Sequence, residues 1–207
     1  MERFKYFLFD IDGVLVNTHN LQFKATREAL REFNGYDIES NSEVCAICDS
    51  TITTMKKLEY LAERRIIEFA DVPKIYATKK EIADKLFETE VQRDETKIEL
   101  FEELLGRGSK IGIVTNGNRS SALKLLGRIG LEGKYDVLVT NEDVVNPKPH
   151  AEPYIRAMLA LGVPSLESCI IFEDSEIGLQ AARASGCAVY HVKDYKDVNK
   201  YNFLTYK

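Results

Sequence analysis

Lys5-Tyr6-Phe7-Leu8-Phe9-Asp10-Ile11-Asp12-Gly13-Val14-Leu15-Val16-Asn17-Thr18 is the stretch on which the reading of this chain turns. Its first half is apolar and rich in aromatics, too short for a helix, and it predicts a buried strand of a parallel sheet. The run ends in two carboxylates, Asp10 and Asp12, with Gly13 directly behind. Residues two apart in extended backbone point the same way, so both acids are expected to face one spot at the strand's carboxyl end. Open α/β sheets bind their ligands at that edge. Gly13 lets the chain turn where a side chain would collide with a bound group. A plain polar turn would use the same residue types, but two buried like charges are costly without a cation.

Beyond Thr18 the pattern becomes helical. Phe23, Ala25, Ala29, Leu30 and Phe33 recur at helical spacing, and Asn34-Gly35 supplies a stop. A polar stretch from Asp37 to Ser42 leads into Glu43 to Cys48. Asp49-Ser50-Thr51 then predicts a cap opening a helix through Met55, Leu58, Leu61, Ala62, Ile66 and Phe69, broken at Val72-Pro73. Ile82, Ala83, Leu86, Phe87 and Val91 predict a third helix from about Thr78. No strand is evident in this block, which has the proportions of a small bundle.

From Thr96 strands and helices alternate. A helix ending at Gly106-Arg107-Gly108 comes first; Lys110 to Thr115, Tyr135 to Thr140, Cys169 to Phe172 and Cys187 to Val192 then read as strands, and the helices between them stop at glycines 130, 162 and 186. Repeated units of this length imply right-handed crossovers and a parallel sheet. The expected organisation is an α/β core from residues 1–16 and 92–207, with residues 17–91 as an inserted all-helical domain. An insert entering just after the acidic strand end would sit over it, as a lid does. The rings of Tyr195, Tyr201, Phe203 and Tyr206 are expected to pack on the core surface.

Composition narrows the function classes. The chain has 207 residues, 44% hydrophobic and 29% charged, which is ordinary for a globular protein. A net charge of −5 gives no electrostatic footprint for nucleic acid or anionic membrane, so a phosphate-bearing ligand must be held by local cations. No apolar run approaches transmembrane length. The N-terminus runs straight into the first strand, which predicts no signal peptide and a cytoplasmic location. Oligomeric state is left open, a monomer being compatible. Cys45, Cys48, Cys169 and Cys187 form no disulfide framework, as in a reducing compartment. Cys45-Ala46-Ile47-Cys48 is a single C-x-x-C beside only three histidines, so structural zinc is poorly supported. A redox pair stays open; core thiols are the simpler reading.

Four loops follow four strand ends. The first carries Asp10 and Asp12. Thr115-Asn116-Gly117-Asn118 offers a hydroxyl, an amide and backbone N–H groups before a helix, either a phosphate cradle or a helix cap. Pro147-Lys148-Pro149 holds a lysine between two prolines, a restraint that suits neutralising an anion. Glu173-Asp174-Ser175 adds further acids at the same edge, hard to explain except by a bound cation.

In this order, Asp-x-Asp-Gly-Val-Leu, Thr-Asn-Gly, Lys-Pro and Glu-Asp-Ser-x-x-Gly resemble the haloacid-dehalogenase-like superfamily of phosphotransferases, over essentially the whole chain. The helical insert is similar to the cap of its β-phosphoglucomutase-like and sugar-phosphatase branch. The resemblance implies a Rossmann-like parallel core with a helical cap domain. It implies that Asp10 is the nucleophile, forming an aspartyl-phosphate, and that Asp12 is the general acid and then base. It implies Mg²⁺ held by Asp10, the Asp12 backbone carbonyl, Asp174 and, directly or at one remove, Glu173. Thr115 and Asn116 would bind the transferring phosphoryl group beside Gly13 and Gly117, and Lys148 would balance its charge. Asp12 also points to phosphoryl transfer, since the metal-free dehalogenases of the superfamily lack it.

The chain departs from the pattern at the hinge. Many capped relatives read Val-Asp-(Ser/Thr)-Glu-x-x-His, where this chain has Val16-Asn17-Thr18-His19-Asn20-Leu21-Gln22. Asn146-Pro147 also stands before Lys148, where relatives often have glycine. His19 is a candidate substrate contact or an exposed bystander. The implied activity is Mg²⁺-dependent hydrolysis of a small phosphorylated metabolite, a sugar phosphate or nucleotide. The alternative is a mutase of the β-phosphoglucomutase type, which must grip a second phosphate. Cys48 to Thr51 carries Asp49 and no cation, which weakens that alternative, while Lys56, Lys57, Lys79 and Lys80 could still reach inward or simply form a solvated face. A non-catalytic binding protein would be expected to have lost some of Asp10, Asp12, Lys148 and Asp174; none is lost.

Overall fold

The structure, a computed structural model, describes residues 3–50 and 52–205, the last two without side-chain detail. It divides into two compact units, residues 1–17 with 91–207 and residues 18–90.

The first unit is a five-stranded, wholly parallel sheet. Its strands are β1 (Tyr6–Phe9), β2 (Lys110–Val114), β3 (Val137–Val139), β4 (Cys169–Glu173) and β5 (Ala188–His191), in the order β3-β2-β1-β4-β5. Counting helices from the start of the chain, it carries α5 (Glu95–Gly106), α6 (Arg119–Ile129), α7 (Glu152–Leu161), α8 (Glu176–Ala184) and α9 (Lys200–Thr205). The central strands are buried along nearly their whole length, which is why they read as unbroken apolar runs. Leu8, Val114, Tyr154, Ala157, Ile171 and Ala181 belong to one core cluster. Gly130 and Gly162 close α6 and α7 at φ 87° and 67°, a left-handed conformation that favours glycine.

Register fixes which residues share the functional edge. Phe9 pairs with Ile113 on one side and Phe172 on the other. The next row is therefore Asp10, Val114 and Glu173, and the Asp10 N–H donates to the Phe172 carbonyl at 3.1 Å. The strand stops at Phe9, so Asp10 and Asp12 lie in the turn beyond it and not in the extended run expected for them. That turn closes on itself, with the Ile11 carbonyl accepting from Val14, Leu15 and Val16.

The second unit is all helical: α1 (His19–Asn34), α2 (Ser42–Asp49), α3 (Thr54–Glu63) and α4 (Val72–Glu90). Its own core includes Ala29, Leu30, Ile38, Val44, Leu58, Leu61 and Ile75. Three expectations are corrected here. Asp49 ends a helix instead of capping one; Thr53 caps α3, its side chain accepting from Lys56, and Thr51 lies outside the described residues. The helix through Leu61 stops at Glu63, short of Ile66 and Phe69. Val72-Pro73 starts α4 where a break was expected, because proline's missing N–H costs nothing in a first turn.

β3 is three residues long, not six. Before it, Asp136 turns its side chain onto the neighbouring strand, accepting from the Ile111 N–H at 2.9 Å and from Lys110 Nζ at 2.7 Å. In the tail, Phe203 stacks on Phe172 at 4.7 Å between centroids, while Tyr201 is exposed and Tyr206 lies outside the described residues. All four cysteines are free, and burial pushes the Cys48 thiol up to about 11, which fits a packed thiol. No helix among the described residues is long and apolar enough to cross a membrane.

Candidate active site

Lys148 is the hub of the strand-end cluster. Its ammonium donates to Asp10 Oδ1 at 2.7 Å, the Val114 carbonyl at 2.9 Å and Glu173 Oε1 at 2.5 Å. Three protons meet three acceptors, so the donor capacity of the group is filled. Lys148 is only 4% exposed, and its Nζ lies 4.9 Å from the Tyr154 ring centroid. Burial alone would lower this ammonium's pKa. Asp10 and Glu173 outweigh that, and the group is raised and stays charged.

The loop that carries Lys148 is fixed from two sides. The Asn116 amide donates to the Lys148 carbonyl at 3.0 Å and accepts from the Lys148 N–H at 3.0 Å. Glu152, first residue of α7, accepts from the N–H groups of Val145 and Asn146 at 3.0 and 2.9 Å. Those bonds hold its carboxyl down at about 2. The Lys148–Pro149 peptide bond is cis.

Glu173 is fully buried, and both its oxygens are engaged. Oε1 accepts from Lys148 and from the Tyr154 hydroxyl, and Oε2 from the Asp174 N–H and Ser175 Oγ. A Cβ on Gly178 would fall on the Glu173 carboxylate, so α8 approaches as it does only because that position is glycine. Asp174 differs from its neighbour. Its Oδ1 is buried with no hydrogen-bond partner among the described residues. Burial, reinforced by Glu173 and Asp12, pushes its carboxyl up to about 6. Burial likewise drives Asp10 well above the usual carboxylate range, Glu173 and Asp12 adding to the rise and Lys148 opposing it.

One lysine thus serves three clustered acids, Asp10, Glu173 and Asp174, and a fourth, Asp12, lies near enough to raise the carboxyls of Asp10 and Asp174. Oxygens of Asp10, Glu173 and Asp174 lie within 4.8 Å of one another. Gly13, at φ 81°, brings bare backbone against Asp174, where a Cβ would overlap the carboxylate. The donor set is all oxygen, negatively charged, and includes an unpartnered buried atom. These residues fit a hard divalent cation such as Mg²⁺.

The residues expected to cradle phosphate lie beside this cluster, Val114 and Asn116 both bonding Lys148. Thr115 follows β2 and is buried; its Oγ1 accepts from the Gly117 N–H at 3.0 Å. Asn118 caps α6, its side chain accepting from the Ser121 N–H at 3.0 Å, so the cap reading holds at that residue. Asp12 is half-buried in the turn, outside the group of three clustered carboxylates. His19 belongs to the helical unit as the exposed first residue of α1, its Nε2 2.8 Å from Asp49 Oδ1.

Three roles escaped the sequence reading. Tyr154 sits in the apolar phase of α7 and reads there as core. Glu152 looks like an ordinary first-turn acid. For Asn116 the backbone N–H was the group expected on phosphate; its side chain holds the backbone of another loop.

A family model described as haloacid dehalogenase-like hydrolase matches residues 7–192. Pyrophosphatase PpaX of Bacillus pumilus is 30% identical over 164 residues, which cover 79% of this chain and 72% of that protein. Fructose-1-phosphate phosphatase YqaB of Escherichia coli is 26% identical over 194 residues, 93% of this chain and 98% of that one. A crystal structure of β-phosphoglucomutase (pgmB) from Clostridium difficile shares the fold, with a TM-score of 0.77 at 21% identity over 98% of this chain and 94% of that chain.

Proposed function

The chain belongs to the haloacid dehalogenase-like hydrolases, and from that premise we propose that it is a Mg²⁺-dependent phosphatase of small phosphorylated metabolites, working through an aspartyl-phosphate. The observation that carries this reading is the imbalance at the strand ends: one saturated lysine against four acids, with Asp174 Oδ1 buried and unpartnered. Such a site is built for a cation and an anionic substrate together.

In this reading Asp10 attacks phosphorus, and the bond to the leaving oxygen breaks as Asp12 protonates that oxygen. Asp12 then takes a proton from water, whose oxygen displaces Asp10 and releases inorganic phosphate. Thr115 Oγ1 and the Asn116 N–H contact the phosphoryl oxygens, between the backbone of Gly13 and Gly117. Lys148 holds Asp10 in line and offsets the charge gathering on the phosphoryl group. Asp10, Asp174 and the Asp12 carbonyl would hold Mg²⁺. Glu173 stands behind them, its oxygens engaged by Lys148 and Tyr154. When bound, the metal screens the substrate's charge and polarises the phosphoryl oxygens. The helical unit is the cap domain, and His19, oriented by Asp49, is a substrate contact. Four free thiols accord with a cytoplasmic setting.

The relatives' printed names, a pyrophosphatase and a fructose-1-phosphate phosphatase, favour hydrolysis of compact phosphate compounds. Asp10→Asn is expected to abolish turnover of p-nitrophenyl phosphate, and EDTA to do the same until Mg²⁺ is restored. Full activity in Asp10→Asn sinks the reading. Screening phosphorylated metabolites for phosphate release then finds the substrate. Interconversion of sugar-phosphate isomers with little free phosphate would select the mutase alternative.

A further inference from the structure

A cavity of about 370 Å³ opens in the α/β unit at the amino-terminal end of the sheet, the edge opposite the acid cluster. Its apolar lining comes from Phe4 and Phe7 of the first strand and its lead-in, Leu100 and Leu104 of α5, and Phe203 of α9. All five are buried. The volume falls within the roughly 300–1,000 Å³ of small-molecule sites, which pair apolar walls with a few placed polar groups.

The polar groups here have a sign. Lys5, Arg107 and Lys200 line the cavity with a single acid, Glu103, and the hydroxyl-bearing Ser109. Arg107 Nε already takes Glu103 Oε1 at 2.7 Å. Lys5 and Lys200 have no carboxylate partner among the described residues. In a chain of net charge −5, two unclaimed ammonium groups beside an apolar pit are a local reversal of the field.

We propose that this cavity binds an amphipathic organic anion, its aliphatic or aromatic body against Phe4, Phe7, Leu104 and Phe203 and its head between Lys5 and Lys200. The fit is one of charge and polarity together. A neutral apolar molecule would leave both ammonium groups unanswered, and a bare phosphate would leave the pit unfilled. The site is separate from the chemistry at Asp10, since five residues of extended chain from Lys5 to Asp10 span about 16 Å.

The test is calorimetric titration of the 207-residue chain with sodium decanoate below its micellar concentration, with decan-1-ol as the neutral match. Saturable one-to-one binding of decanoate is expected, at least about tenfold tighter than decanol. Added salt should weaken it. The double variant Lys5→Glu/Lys200→Glu, both substitutions near the surface, should keep the wild-type melting temperature and lose about tenfold or more of decanoate affinity, with decanol unaffected. The proposal is overturned by absence of saturable binding, by equal affinity for decanol, or by an unchanged affinity in the double variant. Displacement of decanoate by inorganic phosphate with Mg²⁺ would move the binding to Asp10 and overturn it too. So would binding that appears only after residues 206–207 are removed, because the chain's own end would then be the occupant.

Discussion

The Tyr154 hydroxyl and the Lys148 ammonium both donate to one oxygen, Oε1 of Glu173. Glu173 is thereby held between a helix and the loop that precedes it, and Tyr154 reaches Lys148 through one intervening carboxylate. Tyr154→Phe keeps the ring and removes the donor. It should cost about 2 kcal/mol of stability, the usual worth of a hydrogen bond to a charged group. It should also lower kcat roughly tenfold with KM little changed, because Glu173, one of the three acceptors that hold Lys148, is then less firmly oriented. A fall in melting temperature with unaltered kcat would reduce Tyr154 to a core residue.

Lys148→Met removes the cation from between Asp10 and Glu173. Stranding buried acids in this way costs about 3–5 kcal/mol. Urea unfolding without Mg²⁺ should show that loss, and addition of Mg²⁺ or acidification should recover part of it. A variant as stable as the parent at pH 8 without metal would contradict the charge imbalance described here.

Asp174 sets a pH window. Its folded carboxyl titrates at about 6 against an ordinary 3.8. Between those values the folded state binds more protons than the unfolded one, so stability falls as pH rises through the window. The upward shift of Asp10 acts in the same direction. Metal binding requires the ionised form, so Mg²⁺ should raise the melting temperature well above pH 6 and little at pH 5. Asp174→Asn should flatten the first trend and remove the second. Equal Mg²⁺ stabilisation at pH 5 and pH 8 would refute the placement of the metal.

Glu152 acts in the opposite sense. Bonds from Val145 and Asn146 hold it at about 2 against 4.5, so the unfolded state binds more protons between those values. Its contribution is complete above about pH 4.5 and lost as pH falls towards 2. Glu152→Gln should flatten this acid limb and make residues 144–148 more open to proteolysis at neutral pH. Cleavage no faster than in the parent would show that the loop is held by Asn116 alone.

Much of this was legible before any coordinates. Ile111, Ile113 and Val114, like Cys169 to Phe172, are buried on both faces of a parallel sheet and so leave continuous apolar runs. Gly35, Gly130 and Gly162 stop helices for a conformational reason that is local to them. Asp10, Glu173 and Asp174 were legible because acids ending apolar strands demand an explanation, and Lys148 because two prolines restrain it. What resisted was whatever depends on a neighbour far along the chain. Pro73 can start or stop a helix, and the core behind it decides. The Asn116 amide can serve a phosphate or a peptide group equally well, and Tyr154 shows its helical phase but not the carboxylate above its ring.

Lys148 is moored at three points, and one of them, the Val114 carbonyl, can neither titrate nor accept a phosphoryl group. If Asp10 loses its charge, the Val114 and Glu173 moorings still stand. The ammonium therefore keeps its station whichever state its first partner is in, and nothing must swing back before the next encounter. A residue anchored like this serves as a fixed post around which other charges come and go, and it is not itself a carrier of protons.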